Sequence, residues 1–270
     1  MVDIIGKEYV GQHTAFRSLS RFCRIEGKHV LEVGGNSNCV AATPFATAGA
    51  AEVIVTGLDH VEDGQQPPHL CIRLERADAL ALRDKFPEGR FDLVYGISVL
   101  EHIPAPRKFF SELEGVLSSG GMAFLQGAPI WSGPLGHHIW LCPWADQTIG
   151  CYLFLPSEAL TAQGVKVVNP IPDWGHLLYS ADELATVLRG SDIPDTDIER
   201  IVHFTFSGDV INREPTSAIC RAIRDSGLEV VELEYDRVAI PDDVLARLRT
   251  RHSDREDFSI LGMRVLLRKV

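Results

Sequence analysis

The stretch Val30-Leu31-Glu32-Val33-Gly34-Gly35-Asn36-Ser37-Asn38 decides how the chain reads. An apolar run ends in an acid, and two glycines follow at once. Glycine tolerates positive φ and lets a backbone approach a ligand closely. The pattern predicts a first strand over His29–Val33 that feeds a tight, ligand-facing loop.

A second apolar run, Glu52-Val53-Ile54-Val55-Thr56-Gly57-Leu58-Asp59, also ends in an acid. His69–Leu74 reads as a short third strand, followed by Arg76-Ala77-Asp78-Ala79 and a helix to about Lys85. Phe91–Gly96 is a fourth strand. Pro104–Leu117 is a helix, with Phe109, Phe110, Leu113, Val116 and Leu117 on one stripe. Met122–Gln126 is a fifth strand. A helix over Glu8–Cys23 precedes this region, with Tyr9 and His13 on it, and another spans about residues 39–49. Strands alternating with helices at this spacing predict an α/β fold with a doubly wound, mainly parallel sheet.

The alternation stops after residue 127. Residues 128–212 are rich in aromatics, prolines and histidines and hold all four tryptophans, Trp131, Trp140, Trp144 and Trp174. One helix is expected inside, from Ser180 to Arg189, because Ser180 and Glu183 form a capping box. Regular order returns with a helix over Pro215–Ser226 and strands over Leu228–Tyr235 and Phe258–Arg268.

The 270 residues are 45% hydrophobic and 23% charged, ordinary values for a globular protein with a sizeable core. The net charge is −11, and no basic run is present, which argues against a nucleic-acid partner. No run of about 18 apolar residues exists, so no membrane span is expected. The first residues do not read as a signal peptide, and a cytoplasmic location is expected. The six cysteines form no Cys-x-x-Cys pair, so neither a zinc site nor a disulfide framework is expected.

Asp59 lies 25 residues after Gly34. In nucleotide-binding sheets an acid at the end of the second strand, about 20 residues on, accepts hydrogen bonds from ribose hydroxyls. The third glycine of the dinucleotide fingerprint is missing, which argues against an NAD oxidoreductase. The pattern is instead Glu-x-Gly-x-Asn-x-Asn at 32, 34, 36 and 38. It resembles motif I of the class I S-adenosylmethionine-dependent methyltransferases, whose fuller form is acid-x-Gly-x-Gly-x-Gly. Three further segments resemble that family in order. They are Asp78-Ala79, then Phe91-Asp92-Leu93-Val94 with Val99-Leu100-Glu101-His102-Ile103, and Leu117-Ser118-Ser119-Gly120-Gly121. The closing Gly262–Lys269 strand is similar to its last hairpin.

The resemblance implies a Rossmann-like seven-stranded sheet, mostly parallel with an antiparallel last strand, plus a lid insertion. It implies a core of 28–127 and 213–270, a helical cap over 1–27 and a substrate insertion over 128–212. It implies S-adenosyl-L-methionine as cofactor. Glu32 and the Gly34-Gly35 backbone would sit by its methionine part, Asp59 at the ribose, Asp78 and Ala79 at the adenine, and Gly96 and Ile97 beside the transferred methyl. Asn36 stands where the family often keeps glycine and would carry a polar side chain to the site.

The candidate bases are His137 and His138 in Trp131-Ser132-Gly133-Pro134-Leu135-Gly136-His137-His138, because histidine titrates near neutrality. The alternative is that both satisfy loop backbone groups. Gly96-Ile97-Ser98 supplies no acid where metal-using relatives place one, so no metal is expected. The expected partner is a small, partly apolar methyl acceptor with an oxygen or nitrogen nucleophile, of the kind made in secondary metabolism. A non-catalytic module that keeps the fold is the second reading. Oligomeric state is left open by the sequence.

Overall fold

In the computed structural model the described residues are 13–58, 61, 67–139, 169–191, 193–252 and 256–270. Asp59, the first part of the expected N-terminal helix, Trp140 and Trp144 lie outside them.

Seven strands form one sheet: β1 His29–Val33, β2 Glu52–Gly57, β3 Ile72–Arg76, β4 Phe91–Gly96, β5 Leu117–Gly127, β6 Glu229–Arg237 and β7 Ile260–Arg268. Their order is β3-β2-β1-β4-β5-β7-β6. The pairs β1 with β2 and β4, β2 with β3, and β4 with β5 are parallel, and β5 with β7 is antiparallel. This is the Rossmann-like α/β architecture expected. The chain order reverses between β1 and β4, and such sheets bind ligands at the carboxyl edge of that reversal.

The helices are α1 Thr14–Ser20, α2 Thr43–Thr47, α3 Leu82–Lys85 after a 3-10 turn at Ala79–Ala81, and α4 Pro106–Val116. They continue with α5 Gly175–Leu178, α6 Ala181–Arg189, α7 Asp195–Phe206, α8 Thr216–Arg224 and α9 Asp242–Arg251. The β1 and β4 bounds agree with the sequence reading. The third strand starts three residues later than expected, because Val53 pairs with Ile72 and Gly57 with Arg76, while Leu70 is fully exposed. The fifth strand starts earlier, because Leu117 already pairs with Phe91.

The chain divides into two units. The first comprises the described residues up to Ala128 with Ala218–Tyr235 and Met263–Val270. The second comprises Pro129–Ser217 and Asp236–Gly262, within which the described residues are those already given. The sequence pattern groups 236–262 with the core. In the structure, Leu248 of α9 and Phe258 pack instead with Trp174, Leu177 and Leu178.

In the first unit, burial follows the pleat. Leu74, Val55, Glu32, Tyr95, Phe124 and Leu266 are register partners in one row across six strands. All but Glu32 belong to the same apolar cluster, which also holds Phe45 of α2. At the opposite end of the strands, Asp92 accepts from the His29 N–H at 2.9 Å and from Lys28 Nζ at 3.0 Å, which fixes β1 against β4. Glu112 of α4 accepts from the Arg83 N–H at 2.8 Å and from its guanidinium, joining α3 to α4.

In the second unit, Ile139, Ile171, Leu184, Leu188, Ile198 and Ile201 form one core cluster. The Ser180–Glu183 capping box is formed. Among the described residues, no helix is long and apolar enough to cross a membrane.

Candidate active site

The site begins where β1 ends. Gly34 has φ of +74°, and a Cβ there would lie 3.1 Å from Val99. A Cβ on Gly35 would sit 2.5 Å from Val55 Cγ1, 2.7 Å from Glu32 Cδ and 2.9 Å from Glu32 Oε1. Only glycine lets this turn fold down onto the acid that precedes it. The Gly35 N–H donates to Thr56 O at 2.8 Å, and the Thr56 hydroxyl donates to Glu32 O at 2.7 Å, so β2 holds the turn.

The two asparagines act on their own loop. Asn36 Oδ1 accepts from the Asn38 N–H and Asn38 Oδ1 from the Val40 N–H, each at 3.1 Å. Two successive turns closed by asparagine side chains replace the glycine flexibility of the fuller motif. Both residues are exposed.

Glu32 is only 8% exposed. Its Oε2 accepts from the Tyr95 hydroxyl at 2.7 Å. Burial raises the Glu32 carboxyl to about 7, with the Tyr95 hydrogen bond pulling the other way. The same burial, with the Glu32 charge, holds the Tyr95 hydroxyl well above the ordinary phenol value.

At the end of β3, Asp78 is exposed and Oδ1 accepts from the Leu80 N–H at 2.8 Å, capping the 3-10 turn that begins at Ala79. At the end of β4, a Cβ on Gly96 would meet Val99 Cγ1 at 2.6 Å. Ile97 is half-buried, and Ser98 takes φ of +52°. The first unit therefore brings Glu32, Gly34, Gly35, Asn36, Gly96 and Ile97 to neighbouring carboxyl ends of β1 and β4. Asp78 and Ala79 follow β3 at the same edge.

Sequence reasoning assigned no role to Glu101. It is buried, Oε1 accepts from the Ala128 N–H at 3.2 Å, and no described group hydrogen-bonds Oε2. Burial pushes its carboxyl up to about 8. An acid inside an otherwise apolar strand-to-helix run was the available signal. Tyr95 was missed because an aromatic in a strand reads as core.

The two candidate histidines lie in the second unit and are both buried. The Ile139 N–H donates to His137 Nδ1 at 2.9 Å. His138 takes φ of +56°, and its Nδ1 lies 2.9 Å from Gly136 O. His176 Nε2 lies 2.7 Å from Trp131 O, and its ring is 4.5 Å from that indole and 5.4 Å from the His137 ring. Burial, with the neighbouring His176 and His138, holds His137 well below the usual imidazole value. Burial lowers His176 to about 4 against its bond to Trp131.

Residues 32–125 match the family model described as a methyltransferase domain. That segment contains every candidate position at the strand edge. Two curated relatives, both named uncharacterized methyltransferases, come from Mycobacterium sp. strain JLS and Mycobacteroides abscessus. They are 32% identical over 112 residues and 31% over 121. Each match covers 42% of this chain and 43% or 44% of the relative, so the chain spans less than half of these relatives' length. An S-adenosylmethionine-dependent methyltransferase structure from Mesorhizobium loti superposes with a TM-score of 0.50 and 17% identity. It covers 96% of this chain and 97% of the other, a likeness of fold.

Proposed function

We propose that the protein is an S-adenosylmethionine-dependent methyltransferase that methylates an oxygen or nitrogen of a small, partly apolar metabolite. The carrying observation is the buried Glu32 carboxyl under a turn that admits only glycine at position 35, at the reversal of the strand order.

The residues fit the cofactor. The glycine turn leaves room for a ligand against backbone at Gly34, which is exposed. Glu32 offers an acceptor for a cationic amino group. Asp78 has one oxygen spent on its cap and a second for an amino donor such as an adenine edge. Asp59 is proposed at the ribose from its place after β2. When bound, the sulfonium supplies an electrophilic methyl group. The chain's task is then position and electrostatics, and orientation alone can be worth roughly 7–11 kcal/mol.

A protonated acceptor needs a base, and the two histidines differ. His137 Nδ1 already receives a backbone N–H, so its neutral ring carries the proton on Nε2 and has no basic nitrogen to offer. His138 Nδ1 lies 2.9 Å from Gly136 O, a contact that suits a proton on Nδ1 and holds the ring in place. The His137 tautomer follows from its backbone N–H partner. We assign His138 as the base and His137 as support.

Calorimetry with S-adenosylmethionine tests the reading: no binding sinks it. Asp59→Ala is expected to weaken binding at least about tenfold, because charge-assisted hydrogen bonds contribute roughly 1.5–3 kcal/mol each. Labelled methyl transfer to metabolite pools, with none to RNA or DNA, is the expected acceptor profile. Robust nucleic-acid methylation would refute the small-molecule assignment, and binding without transfer would favour a non-catalytic module.

A further inference from the structure

Tyr95 and Glu32 are register partners on adjacent parallel strands, β4 and β1. Both side chains therefore rise from the same face, in the row otherwise filled by Leu74, Val55, Phe124 and Leu266. A carboxylate in such a row needs a polar partner, because burying an unpaired charge is very costly. Tyr95 supplies it: the hydroxyl donates to Oε2 at 2.7 Å, and the ring is fixed by stacking on Phe45, with centroids 4.7 Å apart. The other oxygen, Oε1, lies beside Gly35, at the ligand-facing turn.

We propose that Tyr95 is a positioning residue that occupies Oε2 of Glu32 and so turns Oε1 toward the turn to accept the cofactor's amino group. The inference rests on the methyltransferase reading above. A hydrogen bond to the carboxylate also favours its ionised form. Tyr95 thus decides how far the pH can fall before Glu32 takes up a proton and stops attracting a cation. Among the described residues, the other titratable group facing Glu32 is the Cys39 thiol from the loop after β1. Burial, then the Glu32 charge, raises that thiol to about 11, so it stays neutral across the working range. Val55 faces Glu32 from β2 and carries no charge.

The test is Tyr95→Phe, which keeps the ring and its stack on Phe45 and removes only the hydroxyl. S-adenosylhomocysteine binding is measured by calorimetry from pH 6 to 8.5 in the wild type and the variant. The acid limb of the variant is expected to move up by about one pH unit, corresponding to about tenfold weaker binding at pH 6. At pH 8.5 the loss in the variant should be clearly smaller than at pH 6. A second readout uses the protein without ligand: the infrared carbonyl band of the protonated Glu32 carboxyl, assigned by its loss in Glu32→Gln, should persist to higher pH in Tyr95→Phe. A uniform loss of affinity at every pH, or an unmoved limb and unmoved band, overturns the positioning role. Absence of binding to the wild type at every pH overturns the cofactor reading and this inference together. Binding whose acid limb stays in place in the variant overturns this inference alone.

Discussion

The Glu101 carboxyl group closes a loop onto Ala128, accepting its N–H at 3.2 Å and so joining the turn after β4 to the end of β5. Its folded value, raised to about 8 by burial, exceeds the ordinary 4.5. The neutral carboxyl is therefore the form the fold prefers. Stability from this group is fully present below about 4.5 and is lost as pH rises through about 8. Glu101→Gln, which keeps the shape and the neutral charge, should remove that loss. In urea unfolding at pH 5, 7 and 9, the variant should gain on the wild type with rising pH. The difference should reach a few kcal/mol, at about 1.4 kcal/mol for each pH unit between the ordinary and the folded value. A constant difference across the series would refute the assignment.

Gly35→Ala places a methyl group within 2.7 Å of the Glu32 carboxyl carbon and 2.5 Å of Val55 Cγ1. Overpacking of this kind costs about 1–3 kcal/mol. The expected result is a lower denaturation midpoint together with loss of S-adenosylhomocysteine binding. Normal binding in a stable variant would show that the turn is not the ligand's seat.

The histidines should separate kinetically. His138→Ala is expected to lower turnover by about 10²–10⁴-fold, the usual worth of a general base, with cofactor affinity unchanged. His137→Ala should act mainly on stability, since its Nδ1 serves the Ile139 N–H. Equal turnover in His138→Ala and the wild type would mean that the acceptor loses its proton unaided.

Acid should weaken the second unit. His176 is lowered to about 4 from the ordinary 6.5. Its contribution is present above about 6.5 and is lost as pH falls through about 4, on the order of 3 kcal/mol in full. His176→Gln retains a donor for Trp131 O and should flatten that decline. Tryptophan fluorescence during unfolding at pH 7 and pH 5 would report it, because the His176 ring lies 4.5 Å from Trp131. An identical pH slope in variant and wild type would refute it.

Local pattern carried much of the fold. The apolar runs at His29–Val33 and Phe91–Gly96 were bounded correctly because each is buried and closed by a glycine, and the Ser180–Glu183 box marked α6 through contacts within one turn. The helices α7 and α9 went unread. Each follows a proline, Pro194 or Pro241, with no side-chain cap. Their acidic first turns, Asp195 with Asp197 and Asp242 with Asp243, were the signal available. The strand-edge glycines and Asp78 were legible because a tight turn constrains residue type on the spot. No local rule shows that the asparagines of the loop spend their side chains on their own backbone.

The sequence by itself determined the strand–helix alternation, the glycine turn after Glu32 and the acid that follows β3, since each depends on residues a few positions apart. Only the tertiary structure decided that Tyr95 faces Glu32, that Glu101 reaches Ala128, and that the Ile139 N–H meets His137 Nδ1. Those facts depend on strand register and loop closure, which bring together groups 63 and 27 residues apart. Burial then sets their charge, and a linear pattern does not encode burial.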